Sequence, residues 1–260
     1  MIVEGSVVIV TGASAGIGKA TAELLAQAGA NVVVTARRAE RLNELVARLE
    51  SCPGRRLAAP GDIREEAFAH DLIGWTTATF GRVDALINNA GLGHRSPLSE
   101  MPLSDVRAIF NTNVLGLLYA TQAAVVQMKQ QNRGQIINVS SIVSQRPLAD
   151  SAIYCASKAA VNFVSRSLRM ELRPYNITVT LVYPGLTATE FAQARLGQPG
   201  GNRFGLHGVP AERVGRAIVK AIENGRSEVY VTLYDWLFVH LNRLFPRTTD
   251  WIVERMAKFT

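Results

Sequence analysis

Ser141, Tyr154 and Lys158 are the residues whose types and spacing could do chemistry, and that chemistry would be proton transfer. Tyr154 and Lys158 stand four positions apart in a stretch patterned as a helix, Ser151 to Leu172, so they share a face and the ammonium can reach the phenol. An unperturbed phenol titrates near ~10, and poising it close to neutrality takes roughly 4 kcal/mol of preferential stabilisation of the phenolate, which a neighbouring cation partly supplies. Lys158 is that cation in this reading. Ser141 precedes the tyrosine by thirteen residues, just past the apolar run Gln135 to Val139 and Ser140, where a parallel strand delivers side chains to its carboxyl edge. A hydroxyl there can hold a substrate oxygen. A tyrosine one turn before a lysine is also an ordinary pairing of half-buried ring and solvated amine, so the pair needs company before it carries chemistry.

The elements that position these groups begin at the N-terminus. Ser6 to Val10 is a β-rich apolar run, TGASAGIG follows from Thr11 to Gly18, and a helical pattern continues through Gln27. Strand, glycine-rich turn and helix in that order form a phosphate site, with backbone N–H groups and the helix N-terminus facing a pyrophosphate. Thr11, Gly12, Ser14, Gly16, Ile17 and Gly18 border it. The glycines at 12, 16 and 18 make a longer loop than GxGxxG. Further strand-like runs occur at Asn31 to Thr35, Arg56 to Ala59, Ala85 to Ile87, Gln135 to Val139, Thr178 to Val182 and Glu228 to Val231. Helical patterns fill the gaps at Lys19 to Gln27, Arg41 to Leu49, Ala67 to Thr79, Val106 to Lys129, Ser151 to Leu172 and Ala211 to Glu223. Repeated βα units with short connections predict a doubly wound, Rossmann-type α/β sheet of about seven parallel strands with helices on both faces, in a single domain over 1–260. Gly197 to Gly208 is glycine-rich and follows the sixth strand, where a lid over a substrate belongs.

The ordered set TGxxxGxG, then NNAG at Asn88 to Gly91, then a serine thirteen residues ahead of YxxxK, resembles the short-chain dehydrogenase/reductase family. The likeness runs from about Gly5 to Val231. It implies hydride exchange with a nicotinamide cofactor, Tyr154 as acid/base, Ser141 on the substrate oxygen, and Lys158 both acidifying the phenol and bonding the nicotinamide ribose. It also implies that Asn113, in FNTNVLG, sits at a helix irregularity and anchors a water leading to the lysine. Asn89, Ala90 and Gly91 would approach the cofactor's ribose, Asp62 with Ile63 beside it the adenine, and Pro184, Gly185, Leu186 and Thr187 the nicotinamide, with Thr189 on the carboxamide. Asp62 has a second use as helix N-cap ahead of Glu65 and Glu66, and Pro184-Gly185 a second use as a simple turn.

The end of the second strand bears on which cofactor. NAD enzymes place an acid there to bind the ribose hydroxyls, whereas this chain reads Thr35, Ala36, Arg37, Arg38. An acid would repel a 2′-phosphate and a guanidinium grips one through paired hydrogen bonds, so NADP(H) is expected. The alternative is that both arginines are the solvated start of the next helix.

The chain of 260 residues carries a formal net charge of +7. Its arginines are interleaved with acids, as in Arg37 to Glu50, rather than gathered in a basic run, which argues against nucleic acid as partner. Two cysteines, Cys52 and Cys155, are too few for a disulfide framework. Because the first strand begins within MIVEGSVVIV, a signal peptide has no room and a cytoplasmic location is expected. No metal is expected: His70, His94, His207 and His240 lack ligand spacing, and His94 reads as a surface or pocket-lining residue.

The substrate is expected to be a small carbonyl or alcohol, bordered by Leu92 to Met101, Ser144 to Ile153 and a loop region at 186–208, with Phe191, Phe204 and Leu206 as an apolar wall. An amphipathic extension covers 233–260: Leu233, Trp236, Leu237, His240, Leu241, Leu244 and Phe245 make a helical stripe before Pro246. It could pack in the core or between subunits of a homodimer or homotetramer, cover the pocket, or lie on a membrane surface with Arg243, Arg247, Arg255 and Lys258 outward. Three functions compete on these residues. They are a carbonyl reductase or alcohol dehydrogenase, a catalytically silent NADP(H)-binding sensor or scaffold, and a sugar-nucleotide epimerase, for which the chain after the sixth strand is short.

Overall fold

The computed structural model describes residues 1–198 and 207–258. Its centre is a sheet of seven strands, β1 (Val7–Thr11), β2 (Asn31–Thr35), β3 (Arg56–Ala58), β4 (Ala85–Asn88), β5 (Gly134–Val139), β6 (Ile177–Tyr183) and β7 (Glu228–Tyr230). They lie in the order β3-β2-β1-β4-β5-β6-β7, and every pairing is parallel. β1 and β2 are runs of valine, isoleucine and threonine buried over almost their whole length, as β-branched residues are when helices cover both faces of a sheet.

Alternation within the strands sorts the core into two halves. Val8 and Val10 face one side with Leu25 of α1 (Gly16–Gln27), Leu42 of α2 (Ala39–Arg48) and Ile218 of the helix Ala211–Asn224. Ile9 faces the other with Leu72 of α3 (Glu66–Phe80) and Met128 of the helix Gly116–Gln130. Each such fully buried side chain is worth roughly 1.5–3 kcal/mol of transfer free energy.

Two elements depart from the sequence expectation. The predicted helix Val106 to Lys129 is α4 (Leu103–Phe110) and α5 (Gly116–Gln130), joined by a π-helical turn, Asn111–Leu115. The extra residue in that turn aims Asn113 inward, where it is 1% exposed. The second departure follows α6 (Ala152–Leu172), α7 (Ala211–Asn224) and α8 (Leu233–Leu244). Pro246 does not end the helical structure there but opens a further helix, α9 (Pro246–Lys258), the first position being where proline's missing N–H is harmless. α8 starts with a reciprocal cap: Thr232 Oγ1 accepts from the Asp235 N–H at 3.0 Å and Asp235 Oδ2 accepts from the Thr232 N–H at 3.1 Å. The expected stripe divides in two. Half-buried His240 stacks on Trp236 at 4.1 Å and touches Tyr230, and Val239 is buried, whereas Trp236, Leu233, Leu237, Leu241 and Leu244 are exposed.

Candidate functional site

Strand order reverses between β1 and β4, which opens a crevice beyond their carboxyl ends. Thr11 stitches its floor. Its hydroxyl accepts from the N–H groups of Asn89 (2.9 Å) and Ala90 (3.0 Å), and Asn89 Nδ2 donates to Thr11 O at 2.9 Å. This brings the glycine-rich loop so close to 89–91 that a Cβ on Gly12, whose φ is +68°, would lie 2.8 Å from Ala90 Cα, and one on Gly18 2.5 Å from Gly12 O. Asn89, Ala90 and Gly12 are thus first of all packing partners of one another. α1 begins just beyond, with Ala15 as a cap residue that offers no side-chain acceptor and no acid in its first turn. N–H groups left in that condition suit an anion, and the loop therefore fits a dinucleotide's pyrophosphate.

Beyond β5, Ser141 stands where the sequence expects it, and α6 carries Tyr154 and Lys158 toward it. The Ser141 hydroxyl lies close enough to the phenol to lower its pKa, accepts from the Val143 N–H at 3.3 Å and donates to Pro184 O at 3.4 Å. Asn113 is held by three bonds: Oδ1 accepts from the Leu92 N–H (2.7 Å), and Nδ2 donates to Leu92 O (3.0 Å) and Ser157 Oγ (2.9 Å). A Cβ on Gly91 would lie 3.4 Å from Asn113 Oδ1 and 3.5 Å from Lys158 Nζ, so the four residues of the expected set converge around that glycine and Ser141. Ser157 escaped the sequence reading. Its hydroxyl donates to Tyr154 O at 2.7 Å and thereby joins the π turn to the tyrosine's own backbone. A serine one residue before a lysine in a helix carries no signal of this.

The electrostatics correct one expectation. Burial pushes the Tyr154 phenol above its ordinary value, and the group that lowers it is Ser141 rather than Lys158. The lysine's ammonium donates to Val139 O at 2.8 Å, and burial brings its pKa down to about 8. A phenol in this setting holds its proton at neutral pH, and the amine beside it remains mostly charged.

On the other side of the crevice, Ala36 follows β2, with Arg37 and Arg38 exposed after it. Arg38 does not act as a mere solvated helix start: its Nε and Nη2 donate to Ser14 Oγ of the glycine loop at 3.2 and 3.0 Å. Its Nη1 donates to Glu190 Oε2 at 3.2 Å, and Arg41 Nη1 donates to the same carboxylate at 2.9 and 2.7 Å. Arg41, and after it Arg38, hold the Glu190 carboxyl below the usual range. Asp62 accepts from the Arg64 N–H and side chain, both at 3.0 Å, and that pair lowers its carboxyl with a smaller contribution from Arg37. It is not the N-cap of α3. Glu65 occupies that position without a side-chain bond, because Asp62 is engaged two residues ahead. Ile63 is buried against Gly116.

The segment after β6 closes over both halves. Thr187 Oγ1 donates to Gly185 O at 3.1 Å, Leu186 O accepts from the Val209 N–H, and Thr189 packs its side chain on Gly16. Phe191 reaches the Tyr154 ring, with centroids 5.7 Å apart, and lies against Gly93. Phe204 and Leu206, expected beside it, lie outside the described residues. His94 is not a surface residue: it is 4% exposed and 3.3 Å from Asp105. The C-terminal extension is part of this neighbourhood. A Cβ on Gly185 would fall 2.0 Å from Asp235 Oδ1, and Arg243 donates to Gln145 Oε1 at 2.8 Å. Arg146, 4% exposed, donates to Thr249 O at 3.3 Å and Asp250 Oδ1 at 2.9 Å.

Known proteins share this design. A family described as short chain dehydrogenase matches residues 6–199. An uncharacterized oxidoreductase of Bacillus subtilis (strain 168), YxnA, is 33% identical over 96% of this chain and 72% of its own length. The Sulfoacetaldehyde reductase 2 of Chromohalobacter salexigens is 37% identical over 74% of this chain and 76% of its own. A short chain dehydrogenase/reductase from Burkholderia phymatum, solved in complex with NAD, superposes with a TM-score of 0.86 at 25% identity, covering 95% of this chain and 96% of that one. Sequence motifs, sheet order and these likenesses agree: the chain belongs to the short-chain dehydrogenase family of oxidoreductases.

Proposed function

We propose that this oxidoreductase uses NADP(H) to interconvert a carbonyl and a secondary alcohol on a hydrophobic small molecule. One observation carries the reading: Ser141 and Tyr154 are neighbours at the carboxyl edge of the sheet, close enough for the serine hydroxyl to lower the phenol's pKa, and Lys158 and Asn113 meet at Gly91 beside them. A bound nicotinamide supplies or accepts hydride, and the protein fixes geometry and handles the proton. Tyr154 holds its proton at neutral pH and donates it to the carbonyl oxygen, while Ser141 bonds the same oxygen and steadies the charge that builds there. Lys158 contributes positive charge and a donor toward the ribose, and Asn113 keeps the π turn beside it in place. In oxidation each residue's part is reversed. The choice of NADP(H) is supported by Ala36 in the acidic position and by Arg38 held beside the glycine loop through Ser14. An apolar substrate is supported by Phe191, which flanks the phenol.

The test is a panel of hydrophobic ketones and alcohols with NADPH or NADP+, followed at the absorbance of the reduced nicotinamide. Turnover with at least one apolar ketone is expected. Tight NADPH binding with no turnover across the panel would replace this reading with that of a silent binding protein.

A further inference from the structure

Glu190 belongs to the segment over the substrate side, yet its carboxylate lies among the cations of the cofactor side. Both of its oxygens are bonded: Oε1 to Arg41 and Oε2 to Arg38 and Arg41, at 2.7 to 3.2 Å. Arg38 in turn reaches Ser14 of the phosphate loop. The bridge therefore runs from the glycine-rich loop through two guanidinium groups to the chain next to Phe191, which touches Tyr154. A planar carboxylate shared by two guanidinium groups uses the same donors, at the same spacing, that a phosphate monoester would use.

We propose that Glu190 is an internal occupant of the 2′-phosphate position and the residue that sets cofactor discrimination. The inference rests on the NADP(H) reading above and adds the group against which the phosphate competes. A cofactor with a free 2′-hydroxyl leaves the Glu190 pairs in place. One with a 2′-phosphate brings about two negative charges to donors already engaged, so it must displace the carboxylate or share the arginines with it under repulsion. The natural residue at 190 thus weakens NADP(H) and leaves NAD(H) untouched. Displacement also frees the residue that precedes Phe191, so the substrate wall is informed of the 2′-phosphate. The pairs are half exposed, with side chains 44–50% accessible, so solvent screens them and each is expected to move affinity only about two- to fivefold.

The experiment measures Kd for NADPH and NADH on the full chain by quenching of intrinsic fluorescence, for the natural protein, Glu190→Gln and Arg41→Ala. Glu190→Gln is expected to tighten NADPH about three- to tenfold with NADH unchanged, which is the loss of one or two such exposed pairs plus their repulsion. Arg41→Ala is expected to weaken NADPH with NADH again unchanged. A NADPH/NADH ratio that Glu190→Gln leaves unaltered, or that falls because the carboxylate positions the arginines, would overturn the proposal. The ratio's change is read whichever cofactor the natural protein prefers. A natural preference for NADH would sink the NADP(H) reading alone, while a shifted preference without response at 190 would sink this one alone.

Discussion

At the scale of single residues, two ionisable groups on one helix turn carry opposite burdens. Tyr154 is raised by burial and Lys158 lowered by it, to about 8. For the tyrosine this favours a stored proton. Tyr154→Phe is expected to lower turnover about 10²- to 10⁴-fold, the usual worth of a positioned acid or base, with NADPH affinity little changed. Stopped-flow kinetics beside a binding titration reads both. For the lysine the sign runs the other way from a salt-bridged group. Its folded pKa is depressed below the ordinary 10.5, so the charged form is penalised in the folded state at every pH below about 8. That penalty, about 3 kcal/mol from the separation of the two values, is relieved as pH climbs from 8 to 10.5. Lys158→Met should accordingly gain stability over the natural protein at pH 7, and most of the gain should disappear by pH 10. Thermal unfolding of both proteins at the two pH values is the check, and a constant difference would mean that the amine is not held as a buried cation.

At the scale of elements, the tolerances lie where turns meet strands. Gly18 admits no side chain, since a Cβ would stand 2.5 Å from both Gly12 O and Asn89 Nδ2. Backbone and a hydrogen-bonded amide cannot both yield, so Gly18→Ala is expected to cost roughly 1–3 kcal/mol as an overpacked position does and to weaken dinucleotide binding at least tenfold. Chemical denaturation and cofactor titration measure the two effects. A variant with natural affinity would show that the loop end adjusts without loss. The cap of α8 has a simpler value. Thr232→Ala removes one half of the reciprocal pair and should cost about 1 kcal/mol, measurable as a lower denaturation midpoint. How much of this was legible in advance follows from which physics is local. The seven strands declare themselves because VVIVT, NVVVT and their equivalents are buried on both faces, and Ser141, Tyr154 and Lys158 are fixed by spacing along one strand end and one helix. The π turn left no such mark: NTNVL is as compatible with a regular helix, and its bulge is set by what Asn113 must reach at Leu92 and Ser157. Asp62 was ambiguous for the same reason, two residues from Arg64 and three from Glu65.

At the scale of the whole molecule, charge and the two ends of the chain matter most. A formal net charge of +7 favours the approach of any polyphosphate, and screening lengths shrink from about 10 Å at 0.1 M salt to about 3 Å at 1 M. NADPH carries more charge than NADH, so its affinity should fall more steeply with added salt, and parallel salt slopes would remove Arg38 and Arg41 from its binding. The sequence pattern could not reveal the tertiary pairing of Glu190 with arginines some 150 positions away, because nothing in the local spacing of either partner encodes it. It likewise could not show that, of the 233–245 stripe, His240 reaches Tyr230 while Trp236 and the leucines are exposed. Both facts depend on where the segment after β6 and the last two helices come to rest.

That resting place ties the far end of the polypeptide to its reactive centre. Arg146 follows Ser141 by five positions and is clasped by Thr249 and Asp250, while Asp235 abuts the glycine that succeeds Pro184. Trimming the protein after Tyr230 would therefore strip the backing from the turns after Ser141 and Pro184 at once, so the two C-terminal helices behave as scaffolding for a crevice built a hundred residues earlier.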